Sequence, residues 1–142
     1  LFSLVYILTA PSEVWDFQFF TSTKSQFFVG DSRKLVKPIL EKNEITFIED
    51  IVTDSTNRIS WIVENQYEMI LVLNLKDIVI RQTLIPEKEN GVNEFVRWFN
   101  EDFVRISDTE WRNYTGGRIY KIELKYLLQV PVFSITLAAQ SE

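Results

Sequence analysis

Apolar and polar residues alternate along most of the chain, and that period predicts strands. From Val14 to Phe20, Trp15, Phe17 and Phe19 share one side of an extended backbone, with Asp16 and Gln18 opposite. The spacing of two favours a strand here over a short helix capped by Ser12. Thr21-Ser22-Thr23-Lys24 turns the chain and Ser25 to Val29 returns it. Ser32 to Lys42 reads as helix or irregular chain broken at Pro38. Four clearer strands follow over Glu44–Val52, Arg58–Glu64, Tyr67–Leu75 and Asp77–Ile85. Their turns, Asp54-Ser55-Thr56-Asn57, Asn65-Gln66 and Lys76-Asp77, are short and polar. Connections this short favour antiparallel neighbours, because parallel pairing needs a crossover of roughly a dozen residues or more.

Several of these strands are apolar on both faces. Ile48, Ile62, Ile70, Val72, Val79 and Ile85 add to the alternating set, which predicts strands in the middle of a sheet with both faces at least partly covered. The cover comes after the loop Pro86–Gly91, where the period changes. Val92, Phe95, Val96, Phe99, Phe103 and Ile106 follow helical spacing, with Arg97, Glu101, Asp102 and Arg105 on the other side and Trp98 off the centre of the stripe. Ser107 to Glu110 breaks the pattern, and a short turn begins at Trp111. Thr115-Gly116-Gly117 is the strongest turn signal. Strands near Arg118–Leu128 and Val130–Ala138 close the chain, separated near Pro131. The expected fold class is α+β: a largely antiparallel, meander-rich sheet covered by one principal amphipathic helix at about residues 92–106.

The length, 142 residues, fits one globular domain over 1–142 with a core that needs no disulfide or metal. The chain begins at Leu1 rather than Met, which reads as a processed or trimmed product or an excised domain. Its opening LFSLVYILTA is too short to span a bilayer, and no later apolar run reaches the roughly 18–20 residues a spanning helix needs. The string TAPSEVWDF, Thr9 to Phe17, resembles the strand-Ala-Pro-x-x-Val-Trp opening of START-like lipid-transfer domains. The resemblance covers about nine residues. It implies a continuation into helix and a long C-terminal helix, whereas the alternation after Trp15 and the final PVFSITLAA read as strands. The family is therefore not assigned.

Composition narrows the chemistry. Histidine and cysteine are absent, which removes Ser-His-Asp and Cys nucleophile chemistry, thiolate or imidazole metal sites and disulfides. Lack of cysteine fits the cytosol, slightly favouring an intracellular setting, and also fits an extracellular domain of this size. Four glycines leave little for a phosphate-cradling loop. The adjacent carboxylates Glu49-Asp50 point to opposite faces of a strand, and Glu101-Asp102 sit about 100° apart on a helix, so neither pair has the geometry of a catalytic couple. No catalytic residue, cofactor or metal is expected. A net charge of −5 argues against duplex nucleic acid. Asn113-Tyr114-Thr115 matches the glycosylation triplet, a pattern common by chance.

Three functional classes remain. Aromatic residues interleave with cations in WRNYTGGRIYKIELKY, as in a groove for single-stranded nucleic acid. The strand phase opposes this, since Tyr120, Ile122, Leu124 and Tyr126 share the core side, away from Lys121, Glu123 and Lys125. A small apolar ligand held between sheet and helix is the second class. The favoured class is a non-catalytic interaction or assembly domain whose partner is another protein or a second copy of itself. Trp98, Trp111, Arg112 and Tyr114 are the expected partner-binding residues, because Trp, Tyr and Arg carry most binding energy at interfaces. One ring of Phe27-Phe28 is expected at the surface, since neighbours in a strand point opposite ways.

Overall fold

The computed structural model describes residues 27–138 apart from 54, 55, 65 and 88. The expected strands over 14–20 and at the start of 25–29, and the START-like string, lie outside these residues. Helix α1 spans Arg33–Lys42 and is followed by β1 (Ile48–Thr53), β2 (Thr56–Val63), β3 (Tyr67–Leu73) and β4 (Val79–Pro86). Helix α2 (Glu89–Asp102) leads to β5 (Val104–Ser107), β6 (Glu110–Thr115), β7 (Arg118–Leu127) and β8 (Val130–Leu137). The eight described strands form one antiparallel sheet in the order β1-β2-β3-β4-β8-β7-β6-β5. The fold is α+β, as the sequence predicts.

Two four-stranded meanders make this order. The first walks from β1 to β4. Helix α2 then carries the chain to the far edge, and the second meander walks back from β5 until β8 meets β4. The crossing covers four inter-strand spacings, about 19 Å, and fourteen helical residues reach about 21 Å. The seam between the meanders pairs Gln82 with Ile135, Thr83 with Ser134 and Leu84 with Phe133.

The helix-bearing face of the sheet is the core. Ile59 and Trp61 of β2, Tyr67, Met69 and Leu71 of β3, Leu84 of β4, Phe133 and Ile135 of β8 and Ile122 of β7 are all buried there. Helix α2 presents Phe95 to Tyr67 and Phe133, at ring-centroid distances of 5.8 and 5.9 Å. One turn on, Phe99 meets Phe133 edge-on at 5.1 Å and Trp111 at 5.5 Å. On the reverse face Val132 and Ser134 are buried, while its other described positions are partly or fully exposed.

The predicted helix runs four residues too far. The Phe103 amide donates the last helical bond, to the Phe99 carbonyl, and the chain then pairs as β5 with β6. Ile106 satisfies both periods: it lies three residues beyond Phe103 and two beyond Val104. The segment after Ser107, expected as loop with a short turn, is strand β6. Trp111, Asn113 and Thr115 alternate with Arg112 and Tyr114 in it, but polar residues on both faces hide the period.

Pro38 does not break α1. The helix continues through it because Val36 and Leu40, on either side, are both buried in the main cluster. It ends in a tight hydrogen-bonded cap: the Ile45 amide donates to the Leu40 carbonyl and the Glu44 amide to Glu41, with Glu44 in the left-handed region at φ 59°. The two-sided apolar pattern also resolves differently from expectation at one margin. β1 is an edge strand rather than a central one, so Ile48 and Ile62 lie exposed on the reverse face. Val79, counted on the second face, is buried opposite Leu73 on the helix-bearing side.

Phe27 and Phe28 are both buried, against the expectation that one ring is at the surface. They precede α1 in irregular chain, so strand alternation does not apply. Phe27 stacks on Tyr120 at 4.8 Å and Phe28 meets Trp61 edge-on at 6.2 Å. The Phe28 amide donates to Oε1 of the buried Gln82 at 2.9 Å, which satisfies a polar group in the centre of the sheet. The Arg118 guanidinium closes the same segment, donating to the Asp31 carboxylate at 2.8 Å and to the carbonyls of Val29 and Gly30 at 3.3 Å. Gly30 sits at φ 98°, which favours glycine, and a Cβ there would lie 3.0 Å from the Arg118 guanidinium carbon and push it aside.

Two outcomes follow from this packing. Phe99→Ala removes a fully buried ring between α2, β6 and β8 and is expected to cost about 3–5 kcal/mol in a denaturant titration; a neutral result would contradict this placement of the helix. Glu49 accepts from the Lys37 ammonium at 3.0 Å and from the Arg33 guanidinium, and chiefly the Lys37 bond holds its carboxyl below the ordinary 4.5. A lowered folded-state value contributes stability that is present above pH 4.5 and lost as pH falls through the folded value. Thermal melts of Glu49→Gln and the parent should therefore differ most near neutrality and converge in acid.

Candidate interaction surface

The four residues expected to bind a partner are divided by the fold. Trp111 is 0% exposed: it points from β6 into the aromatic core, and its indole Nε1 donates to Asn100 Oδ1 of α2 at 2.8 Å. A side chain in this position ties the helix to the sheet and offers no surface to a partner. Trp98 is partly buried on α2 and stacks on Phe99 at 5.8 Å with an interplanar angle of 20°. Arg112 and Tyr114 point to the reverse face, because β6 alternates. Arg112 is partly buried and paired with Glu110 at 3.2 Å, whereas Tyr114 is 57% exposed. Trp98 and Trp111 thus lie on the core side, and Arg112 and Tyr114 lie across the sheet from them. The structure does not assemble the four into one patch.

A different surface gathers the exposed apolar side chains. Strand β6 pairs with β7 as far as Glu110 and Glu123, and the Leu124 amide makes one further bond to the Thr109 carbonyl. On the other flank, the β4–β8 ladder ends at Leu84 and Phe133. Residues Lys125 to Val132 continue past both neighbours as a two-stranded arm, Lys125 opposite Val132, Tyr126 opposite Pro131 and Leu127 opposite Val130. Tyr126 is 63% exposed although its phase matches core residues Tyr120 and Ile122. Leu127, Leu128 and Val130 are exposed as well. The alternation that predicts Tyr126 as core is right about its face; the arm simply runs beyond the cover.

The tip of the arm has an unusual backbone. Leu128 and Gln129 form the two-residue turn, with φ of 51° and 69°. The hairpin between β6 and β7 turns on Gly116 and Gly117, at φ 61° and 79°. Both are left-handed two-residue turns of the kind that favours Asn and Gly. One is built from glycine, at no steric cost. The other places a leucine, 97% exposed, in the left-handed region, where an L side chain costs roughly 1–2 kcal/mol. Leu128 is thus unfavourable for the turn and for hydration at once.

Charge near the arm is one-sided. From Leu124 to Leu137 the one charged residue is Lys125. It shares Glu123 with Lys121, at 3.7 and 3.8 Å, so two cations face one carboxylate at the base of the arm. On the opposite side of the sheet, the Tyr120 hydroxyl and then Asp31 hold the Arg118 pKa above its ordinary range, which keeps that guanidinium a permanent structural pin.

Among the described residues, no group of three or more Asp or Glu is placed to hold a metal ion. Glu101 and Asp102 are exposed at the end of α2. No described helix is long and apolar enough to cross a membrane. The Thr115 hydroxyl of the Asn-Tyr-Thr triplet donates to Asn113 Oδ1 within β6. No family model, curated protein or solved structure matches the chain.

Substitution separates the core tryptophan from its neighbours. Trp111→Ala is expected to cost about 3–5 kcal/mol, comparable to Phe99→Ala, whereas Tyr114→Ala should stay within about 0.5 kcal/mol of the parent. Equal losses at the two positions in urea titrations would contradict the assignment of their faces.

Proposed function

We propose that this protein is a non-catalytic protein-interaction domain whose contact element is the β7–β8 arm. The observation that carries the reading is Leu128: a large apolar residue at the outermost point of the arm, in a backbone conformation it disfavours. A strained, solvent-exposed leucine gains nothing for the isolated fold. Strain of this kind concentrates at functional positions, where a binding partner offsets it. Tyr126, Leu127 and Val130 supply an apolar surface around it, in keeping with the use of exposed apolar patches as interaction sites.

The competing readings have less support. Between sheet and helix, Phe95, Phe99, Phe133 and Trp111 lie ring against ring at 5.1–6.2 Å, which favours a filled core over a ligand pocket. Trp111 and Tyr120, two of the aromatics that would stack on single-stranded nucleic acid, are buried.

Leu128→Gly tests the reading. Glycine adopts the turn without strain, so thermal stability should rise by about 0.5–1 kcal/mol. Binding should fall, measured as self-association by sedimentation and as protein retained on the immobilised chain. A variant that is more stable and binds as the parent does would refute the role of the arm.

A further inference from the structure

The sheet is chemically unlike at its two margins. Near β7 the arm is apolar and cationic. At the other margin, Ile48 and Ile62 are diagonal neighbours on the reverse face, 60% and 64% exposed. Glu68 stands directly opposite Ile62 in the β2–β3 ladder, and Glu64 follows β2 at its end. Among the described residues neither glutamate has an ion-pair partner within 4.0 Å, so the described rim of this apolar patch is acidic. The arm, in turn, has an unbalanced cation at its base. Each surface has what the other lacks: an exposed aliphatic pair with excess charge of opposite sign.

Resting on the reading of the arm as a contact element, we infer that its partner is a second copy of this chain, joined head to tail. Leu127 and Leu128 of one copy lie on Ile48 and Ile62 of the next, with Lys125 directed to Glu68. The arm cannot reach the patch on its own chain. Strands β7 and β2 are four inter-strand spacings apart, about 19 Å, and the arm continues the sheet as a hydrogen-bonded ribbon. The contact is between unlike surfaces, so each copy keeps one free arm and one free patch, and the assembly grows until it closes into a ring or continues as a filament. The sheet edges do not drive the contact: β1 and β5 both carry register shifts, and β5 has only four residues, features that oppose edge-to-edge pairing.

Analytical ultracentrifugation of the full chain over a wide concentration range tests this. The average mass should rise with concentration. Leu128→Gly and Ile62→Glu should each hold the chain as a monomer, with the apparent dissociation constant raised about tenfold or more. Thermal melts of both variants confirm that they remain folded. An equimolar mixture should form a dimer and go no further, because the first variant keeps a working patch and the second a working arm. Lys125→Glu and Glu68→Lys should each weaken association, and the double charge reversal should restore it. A monomeric parent, an Ile62→Glu variant that still self-associates, or a mixture that stays monomeric overturns the head-to-tail contact. If a monomeric parent still retains another protein through Leu128, the contact element stands and the partner is that protein. If Leu128 affects neither measurement, both the inference and the reading of the arm fail.

Discussion

The packing of Phe99 against Phe133 and Trp111 holds the two halves of this protein together. β8 is the strand by which the second meander meets the first, through three paired positions, and Phe133 sits at one end of that seam. A ladder this short is a weak join by itself. The helix that connects the meanders lies over it and buries Phe95 and Phe99 on the Phe133 ring, so chain connection and core are the same element. Because α2 must travel four strand spacings before β5 can start, its length, its diagonal path and the reversed order of the last four strands follow from one requirement: the apolar stripe has to stay on the sheet.

The polar contacts close what the aromatic packing leaves open. Gln82 is buried in the seam strand and is tolerated because its carbonyl receives the Phe28 amide. Arg118 does the same at the end of β7, where one guanidinium serves a carboxylate and two backbone carbonyls of the segment before α1. Both contacts join residues more than fifty positions apart. With the backbone bonds from Gly30 to Val79 and from Val79 to Asp31, they fix irregular chain to the sheet, which is why two adjacent phenylalanines can both be buried there.

Apart from the buried Val132, the arm takes no share in this arrangement. Strand β7, at ten residues, is longer than either neighbour, and its last three residues, Lys125 to Leu127, are exposed. Comparing the two left-handed turns makes the point in physical terms. The Gly116-Gly117 turn is what backbone sterics favour, and the Leu128-Gln129 turn departs from it at a fully exposed position. Function is most readable where the chain departs from what stability alone would choose.

The sequence by itself determined the type and approximate position of most elements. Strict alternation in Tyr67–Leu73 and Tyr120–Leu124 specified strands and their buried faces, and the Phe95–Phe99 spacing specified the covering helix, because period depends on local geometry alone. The Gly116-Gly117 pair and the short polar turns likewise marked antiparallel hairpins. Tertiary structure decided the rest. Ile106 satisfies two periods, and only the pairing of β5 with β6 selects the strand. Trp111 is an anchor residue by composition, and only its place beneath α2 makes it core. Tyr126 has the phase of a buried residue, and only the reach of the helix leaves it exposed. In each case the local pattern states which way a side chain points, whereas its burial depends on what lies across from it, and that is set by strand order and by the path of α2.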